Sequence, residues 1–236
     1  MTEKTLSVAH NWVSQRRHRL QLREEWHCIR EGNYICSWTG LKYSDDRTHV
    51  VGLNLSGAGL YGLISPDFSH LTSLQVLDLS LNFLHGSIPP ELGQLQNLKE
   101  LHLYSKSLCG KIPDEIGLLK KLQVLRLLDN MLTGEITPHL GNLSDLRELG
   151  LAFSEFNGSI PVEIGYLKHL KSLNVQQNSL SGLIPEEIGS CTDLQVFSAA
   201  NNMLEGEIPA SMGKLKALKK HVISRNEFPQ LCSAII

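Results

Sequence analysis

Apolar residues along most of this chain recur in one fixed order. Residues 71–94 read LTSLQVLDLSLNFLHGSIPPELGQ, and the same arrangement returns every 24 residues. Leu71, Leu95, Leu119, Leu143, Leu167, Cys191 and Leu215 open successive copies. Within a copy Leu77 and Leu79 alternate with Asp78, a period of two that predicts a short strand over 76–80. Asn82 then marks a bend, and Gly86 permits a turn with positive φ. Pro89 suits the first turn of a short helical segment, since it fixes φ and lacks an N–H that would go unbonded there. Ile88 and Leu92 are placed to fill the far side of the coil.

A fixed period of this length carrying Leu-x-x-Leu-x-Leu-x-x-Asn-x-Leu marks a leucine-rich-repeat solenoid. The expected fold class is an α/β solenoid, a superhelix with short parallel strands on the concave face and a 3-10 or irregular convex side. No coil can bury its apolar residues alone; each packs on its neighbours. Burial of the aliphatic side chains of one coil is worth on the order of 10 kcal/mol before chain entropy is subtracted. Such a solenoid is a surface for binding and rarely a place for chemistry.

The register has informative departures. The bend position reads Ala58, Asn82, Lys106, Asn130, Ser154, Asn178, Asn202 and Asn226. Asn82, Asn130, Asn178 and Asn202 are expected to be structural, bonding backbone groups that would otherwise be buried and unpaired. Lys106 is expected to swing outward, because a charged amine is not buried without a partner. Ser154 is expected to keep one hydrogen bond. Cys191 replaces a repeat Leu and reads as a small buried hydrophobe. Position 230, due to be Gly, is Gln230, and the pattern stops after Phe228.

The organisation read from this pattern has four parts. Residues 1–25 form a poorly ordered or helical N-terminal segment, 26–49 a degenerate cap, 50–228 about eight coils, and 229–236 a truncated tail. Terminal coils normally need a polar cap, so a chain ending in Leu231, Ala234, Ile235 and Ile236 reads as cut in mid-repeat.

The formal net charge of −2 gives no reason to expect nucleic acid or an anionic membrane surface as partner. The run Gln15-Arg16-Arg17-His18-Arg19 lies outside the repeats and reads as a solvated face. No apolar stretch is long enough for a transmembrane helix, and the first 25 residues lack the apolar core of a secretory signal. The five cysteines are odd in number, so at least one stays free if the others pair. The histidines show no paired helical spacing and the cysteines no Cys-x2-Cys, so no metal and no cofactor is expected. Acidic residues such as Glu186-Glu187, Asp114-Glu115 and Glu163 follow the Pro position, where a helix N-terminus favours negative charge. No catalytic residue and no small-molecule substrate are expected.

Leu84-His85-Gly86-Ser87-Ile88-Pro89 carries the Leu-x-Gly-x-Ile-Pro variant found in plant-specific leucine-rich repeats. Cys36-Ser37-Trp38-Thr39-Gly40, with Trp26 before it, resembles the N-terminal cap of that family. LNLSGAGLYGLISP, LQVLRLLDNMLTGEI and FSAANNMLEGEIPASMG are similar to the first repeats of GASSHO-type receptor-like kinases. The resemblance implies an extracellular or plasma-membrane setting, a peptide or protein ligand on the inner face, and a shorter co-receptor kinase as partner. It also implies a cap disulfide, but the closing Cys of that motif is Tyr43 here, and whether Cys28 pairs with Cys36 instead is open. No kinase motif follows the repeats, so the chain is expected to be no enzyme. The alternatives are a soluble repeat protein resembling inhibitors of the cell-wall enzyme polygalacturonase, or a non-functional receptor fragment.

On the predicted concave face His102, Tyr104, Arg126, Asp129 and Phe153 form the most ligand-like patch, with Asn174 and Gln176 beyond it. Aromatic, cationic and anionic groups together are what binding hot spots use. Asn54, Asn142 and Asn157 open Asn-x-Ser sequons, candidates for glycosylation in the secretory path, and Asn142 is expected to be the most accessible.

Overall fold

A computed structural model describes residues 40–104 and 107–228. The expectations for 1–25, for Cys28 and Cys36 of the cap, for Lys106 and for the tail 229–236 fall outside the described residues.

Each 24-residue copy forms one coil, and its strand joins a nine-stranded sheet. The sheet begins with an antiparallel pair, Leu41–Tyr43 against Val50–Asn54. From there it runs parallel through Val76–Asp78, Glu100–His102, Val124–Arg126, Glu148–Gly150, Ser172–Asn174, Val196–Ser198 and Lys220–Val222. From Val76–Asp78 onward each strand is three residues long, shorter than the five the alternation predicts, because left-handed backbone begins soon after Asp78. Leu81 has φ 56°, and Asp129, Phe153, Gln177, Asn201 and Arg225 repeat that conformation one per coil. A bend of this kind is costly for residues other than Gly and Asn. Neighbouring coils hold it: Asp129 N–H donates to the Ala152 carbonyl at 2.8 Å, and Phe153 N–H to that of Gln176 at 3.0 Å.

The core follows the predicted rows. Leu74, Leu77, Leu79, Leu92, Leu95 and Leu98 are fully buried, and the same rows stay buried in the next coils. The Ile row is buried from Ile64 to Ile184 but fails at Ile208, which is 51% exposed in the last described coil. Cys191 is buried among these residues, as its repeat position predicts. Burial pushes its thiol up to about 11.

The Asn row ties coil to coil. Asn130 Nδ2 donates to the carbonyls of Leu103 at 3.1 Å and Leu127 at 2.8 Å, while its Oδ1 accepts from Leu108 N–H at 3.2 Å. Asn82, Asn178, Asn202 and Asn226 repeat the pattern. Ser154 corrects the sequence expectation. Its Oγ is buried and has no hydrogen-bond partner, because the short side chain cannot span the gap an Asn amide bridges.

Short 3-10 helices form the convex side, from Pro66–His70 to Ala210–Lys214. In Pro90–Gln94, Pro89 is the capping residue rather than a helical one, and Pro90 takes the first position. Acidic residues stand in the first turns, as at Glu91, Asp114, Glu115, Glu186 and Glu187. A glycine in each helix from Pro90–Gln94 to Glu186–Ser190 sets the convex spacing. A Cβ on Gly141 would lie 2.5 Å from the Glu163 carbonyl oxygen of the next coil. Short parallel pairings such as Tyr61–Gly62 with Phe83–Leu84 line the lateral side between the bend and the next 3-10 helix.

Candidate binding surface

Side chains at alternate strand positions project from the concave face, since successive residues of a strand point to opposite sides. They do not all reach solvent: the His102 side chain is only 10% exposed beside Glu100. His102 and Arg126 are register partners on adjacent strands. Tyr104 follows His102 by two residues and lies near enough to Arg126 to favour its charged form. Three of the predicted residues, His102, Tyr104 and Arg126, are therefore brought together. Asn174 and Gln176 lie two coils beyond Arg126, separated from it by Gly150 and Ala152.

Asp129 and Phe153 do not lie on strands. Both occupy the left-handed bend, at the rim where the concave face turns into the lateral side. Phe153 is 41% exposed there.

The predicted rows left out two acidic residues. Glu100 and Glu148 occupy the strand positions two residues before His102 and Gly150, so they face the same way. Arg126 donates from Nε to Glu148 Oε1 at 2.7 Å and from Nη2 to Oε2 at 2.9 Å. Those bonds hold the guanidinium charged, above its ordinary range. His102 Nε2 stands 3.2 Å from Glu100 Oε2. Strand alternation applied one step earlier in each coil would have found both carboxylates. Gly150, the register partner of Arg126, is closely packed: a Cβ there would be 3.2 Å from Leu128 Cδ2.

Toward the first coils the surface becomes a fixed polar chain. Ser80 Oγ donates to Asp78 Oδ1 at 2.5 Å, which leaves Ser56 Oγ as the donor in its 2.8 Å bond to Ser80 Oγ. Asn54 Oδ1 accepts from Ser56 N–H at 3.0 Å. The Asn54 sequon lies at the end of the strand Val50–Asn54 and is exposed, as are Asn142, at the end of the 3-10 helix Pro138–Asn142, and Asn157, on the lateral side. Among the described residues no group of three His, Cys, Asp or Glu could hold a metal, and no helix is long and apolar enough to cross a membrane.

The fold and this surface define a class, the leucine-rich-repeat solenoid, and the Leucine Rich Repeat family model matches residues 73–95 and 169–191. Within that class the protein is similar to the extracellular parts of plant receptor kinases. The ectodomain of the receptor kinase GASSHO1/SCHENGEN3 from Arabidopsis thaliana, solved with CASPARIAN STRIP INTEGRITY FACTOR 2, superposes with a TM-score of 0.75 at 36% identity, over 82% of this chain and 26% of that one. The Arabidopsis receptor kinase HAESA, solved with the peptide hormone IDA and the co-receptor SERK1, gives 0.69 at 32% identity, over 72% of this chain and 28% of that one. A putative leucine-rich repeat receptor-like serine/threonine-protein kinase of Arabidopsis thaliana is 49% identical over 49 residues, 21% of this chain and 5% of the kinase. The chain thus spans about a quarter of these solved ectodomains and a small part of the kinase.

Proposed function

We propose that this chain is a binding module that takes an extended peptide, or an extended segment of a protein, along its concave face, outside the plant cell. The observation that carries the reading is the grouping of His102, Tyr104 and the Arg126–Glu148 pair on adjacent strands, with Phe153 at the rim. A face carrying cationic, anionic and aromatic groups in one patch offers anchors of different chemistry within reach of a single ligand. Parallel strands stack about 4.8 Å apart, so the seven parallel coils from Asp78 to Val222 span about 30 Å, the length of an extended peptide of about nine residues. The peptide-bound state of the similar GASSHO1 and HAESA ectodomains supports the same reading. A co-receptor kinase is the natural second partner, by the same similarity. Exposure of the Asn142 and Asn157 sequons is compatible with passage through the secretory path.

The test is a selection from a library of random nonapeptides on the wild-type chain, followed by measurement on the variant R126E/Y104A/F153A. The expected result is that selected peptides lose roughly tenfold or more in affinity. Peptides that bind both chains equally would remove this patch from the binding surface.

A further inference from the structure

The net charge of −2 conceals a sorting of charge around the coil. The 3-10 helices and the lateral side carry Glu91, Asp114, Glu115, Glu163, Glu186 and Glu187, then Glu135, Glu155, Glu205 and Glu227, with Lys111 and Lys214 as the lysines among them. The opposite edge is the turn that links each 3-10 helix to its strand, and it carries the bases.

Two rows build that basic edge. One is stacked by an unbroken run of backbone bonds: Lys219 N–H to Gln195, Gln195 to Lys171, Lys171 to Arg147, Arg147 to Gln123 and Gln123 to Lys99, each 2.7–2.9 Å. Four of those six residues are cationic. The second row lies three residues earlier in the coil and reads Gln96, Lys120, Ser144, Lys168, Thr192 and Lys216, with Lys121 beside Lys120. All these bases are exposed. None takes part in an ion pair among the described residues. The bonds they make are to uncharged groups: Lys120 Nζ to the Asn142 carbonyl at 3.0 Å, Lys121 Nζ to Asn97 Oδ1 at 2.8 Å, and Lys168 Nζ to the Gly165 carbonyl at 2.9 Å. Asp145 and Asp193 are the acids of the edge, and Asp193 faces His169 at 3.6 Å.

We infer that this edge binds a linear polycarboxylate, an acidic polysaccharide lying along the solenoid axis. At about 4.8 Å per coil the row from Lys99 to Lys219 runs about 24 Å. Cations a few ångströms apart reinforce one another within the Debye length of about 8 Å at physiological salt. They form a band one or two charges wide, which matches a chain better than a plane. An anionic membrane would be held by a broad basic face with an apolar set to insert. Single-stranded nucleic acid would be held by aromatic rings on successive coils. Beside the His169 imidazole, the edge has among the described residues one exposed aromatic ring, Tyr166, 61% exposed, at the end of the 3-10 helix that precedes Lys168. A single flat apolar face beside cations suits the faces of uronic-acid rings. The inference rests on the proposed extracellular setting and not on the concave patch.

The experiment measures retention of the full chain on immobilised polygalacturonate, a linear uronic-acid polymer. Neutral dextran, phosphatidylserine-containing vesicles and oligo-dT serve as comparisons. The protein is made in bacteria, so that Asn142, whose carbonyl meets Lys120, carries no glycan. The wild-type chain should bind polygalacturonate with an affinity that falls steeply between about 50 and 200 mM salt. The variant K120Q/K121Q/K168Q/K171Q should lose roughly tenfold or more, while K111Q, on the acidic side, and R126E/Y104A/F153A should bind as wild type. Glutamine is native at this register position: Gln96 Nε2 donates to the Gly93 carbonyl at 2.8 Å, the same bond Lys168 makes to Gly165. Circular dichroism of the quadruple variant checks that its fold is intact. No retention of the wild type, undiminished retention by the folded quadruple variant, or equal affinity for vesicles or oligo-dT would each overturn the inference. Loss of peptide binding in R126E/Y104A/F153A leaves it untouched.

Discussion

Arg126 and Glu148 form a two-pronged ion pair across adjacent strands, at 2.7 and 2.9 Å, although 22 residues separate them. Both groups are about a third exposed, so solvent screens the pair. Glu148→Ala should therefore cost less than about 1 kcal/mol in urea unfolding. Its larger effect is on the surface, where it releases a guanidinium that the carboxylate now occupies. Peptides selected on E148A should be richer in Asp and Glu than those selected on the wild type. Identical selections would show that Arg126 does not read the ligand.

Ser154 stands where other coils have Asn, and its hydroxyl is buried without a partner. Ser154→Asn should raise stability by about 1–2 kcal/mol, through bonds like those Asn130 and Asn178 make to their neighbours. Asn178→Ala should lower it by about 2–3 kcal/mol, because the carbonyls of Leu151 and Val175 lose a donor. Urea midpoints of the two variants check both signs; a destabilised S154N would mean the coil there has closed around the smaller side chain.

Gly141 and Gly213 occupy the same place in their 3-10 helices and differ in surroundings. A Cβ at 141 would meet the Glu163 carbonyl at 2.5 Å, while no described atom lies within 4 Å of one at 213. Gly141→Ala should cost about 3 kcal/mol by forcing two coils apart. Gly213→Ala should be neutral or slightly stabilising, since Ala is the better helix former. Equal melting curves for the two would refute this account of convex spacing.

Cys191 and Cys109 are both free and differ in access, one buried and one exposed. Cys191, pushed up to about 11, holds about a thousandth of its thiol as thiolate at pH 8. Alkylation of the folded chain at pH 8, mapped by peptide mass, should label Cys109 within minutes and leave Cys191 intact until denaturant is added. Labelling of Cys191 in the native chain would show that its coil opens.

The repeat made the fold legible because its core residues recur at fixed positions. Leu77, Leu79, Ile88 and Leu92 announce a strand and a wall wherever they return, and all are buried. The Asn bend was legible for the same reason. What escaped was set by backbone geometry and by charge. Asp129 and Phe153 read as strand residues because alternation does not reveal a left-handed bend. Glu148 was missed because the outward rows begin at the strand's first residue. The basic edge was missed because a sum of charges holds no information about which side of a coil each one takes.

The left-handed bend accepts Leu, Asp, Phe, Gln, Asn and Arg at nearly one φ. The neighbouring coils dictate its shape, so the identity of the side chain there has little say in whether the chain folds. Leu81, 63% exposed, and Phe153 contribute nothing to the core that would account for their size. The rim is therefore the part of this molecule most free to change its outward chemistry from one coil to the next, and substitutions confined to it offer a direct way to give the same scaffold a different partner.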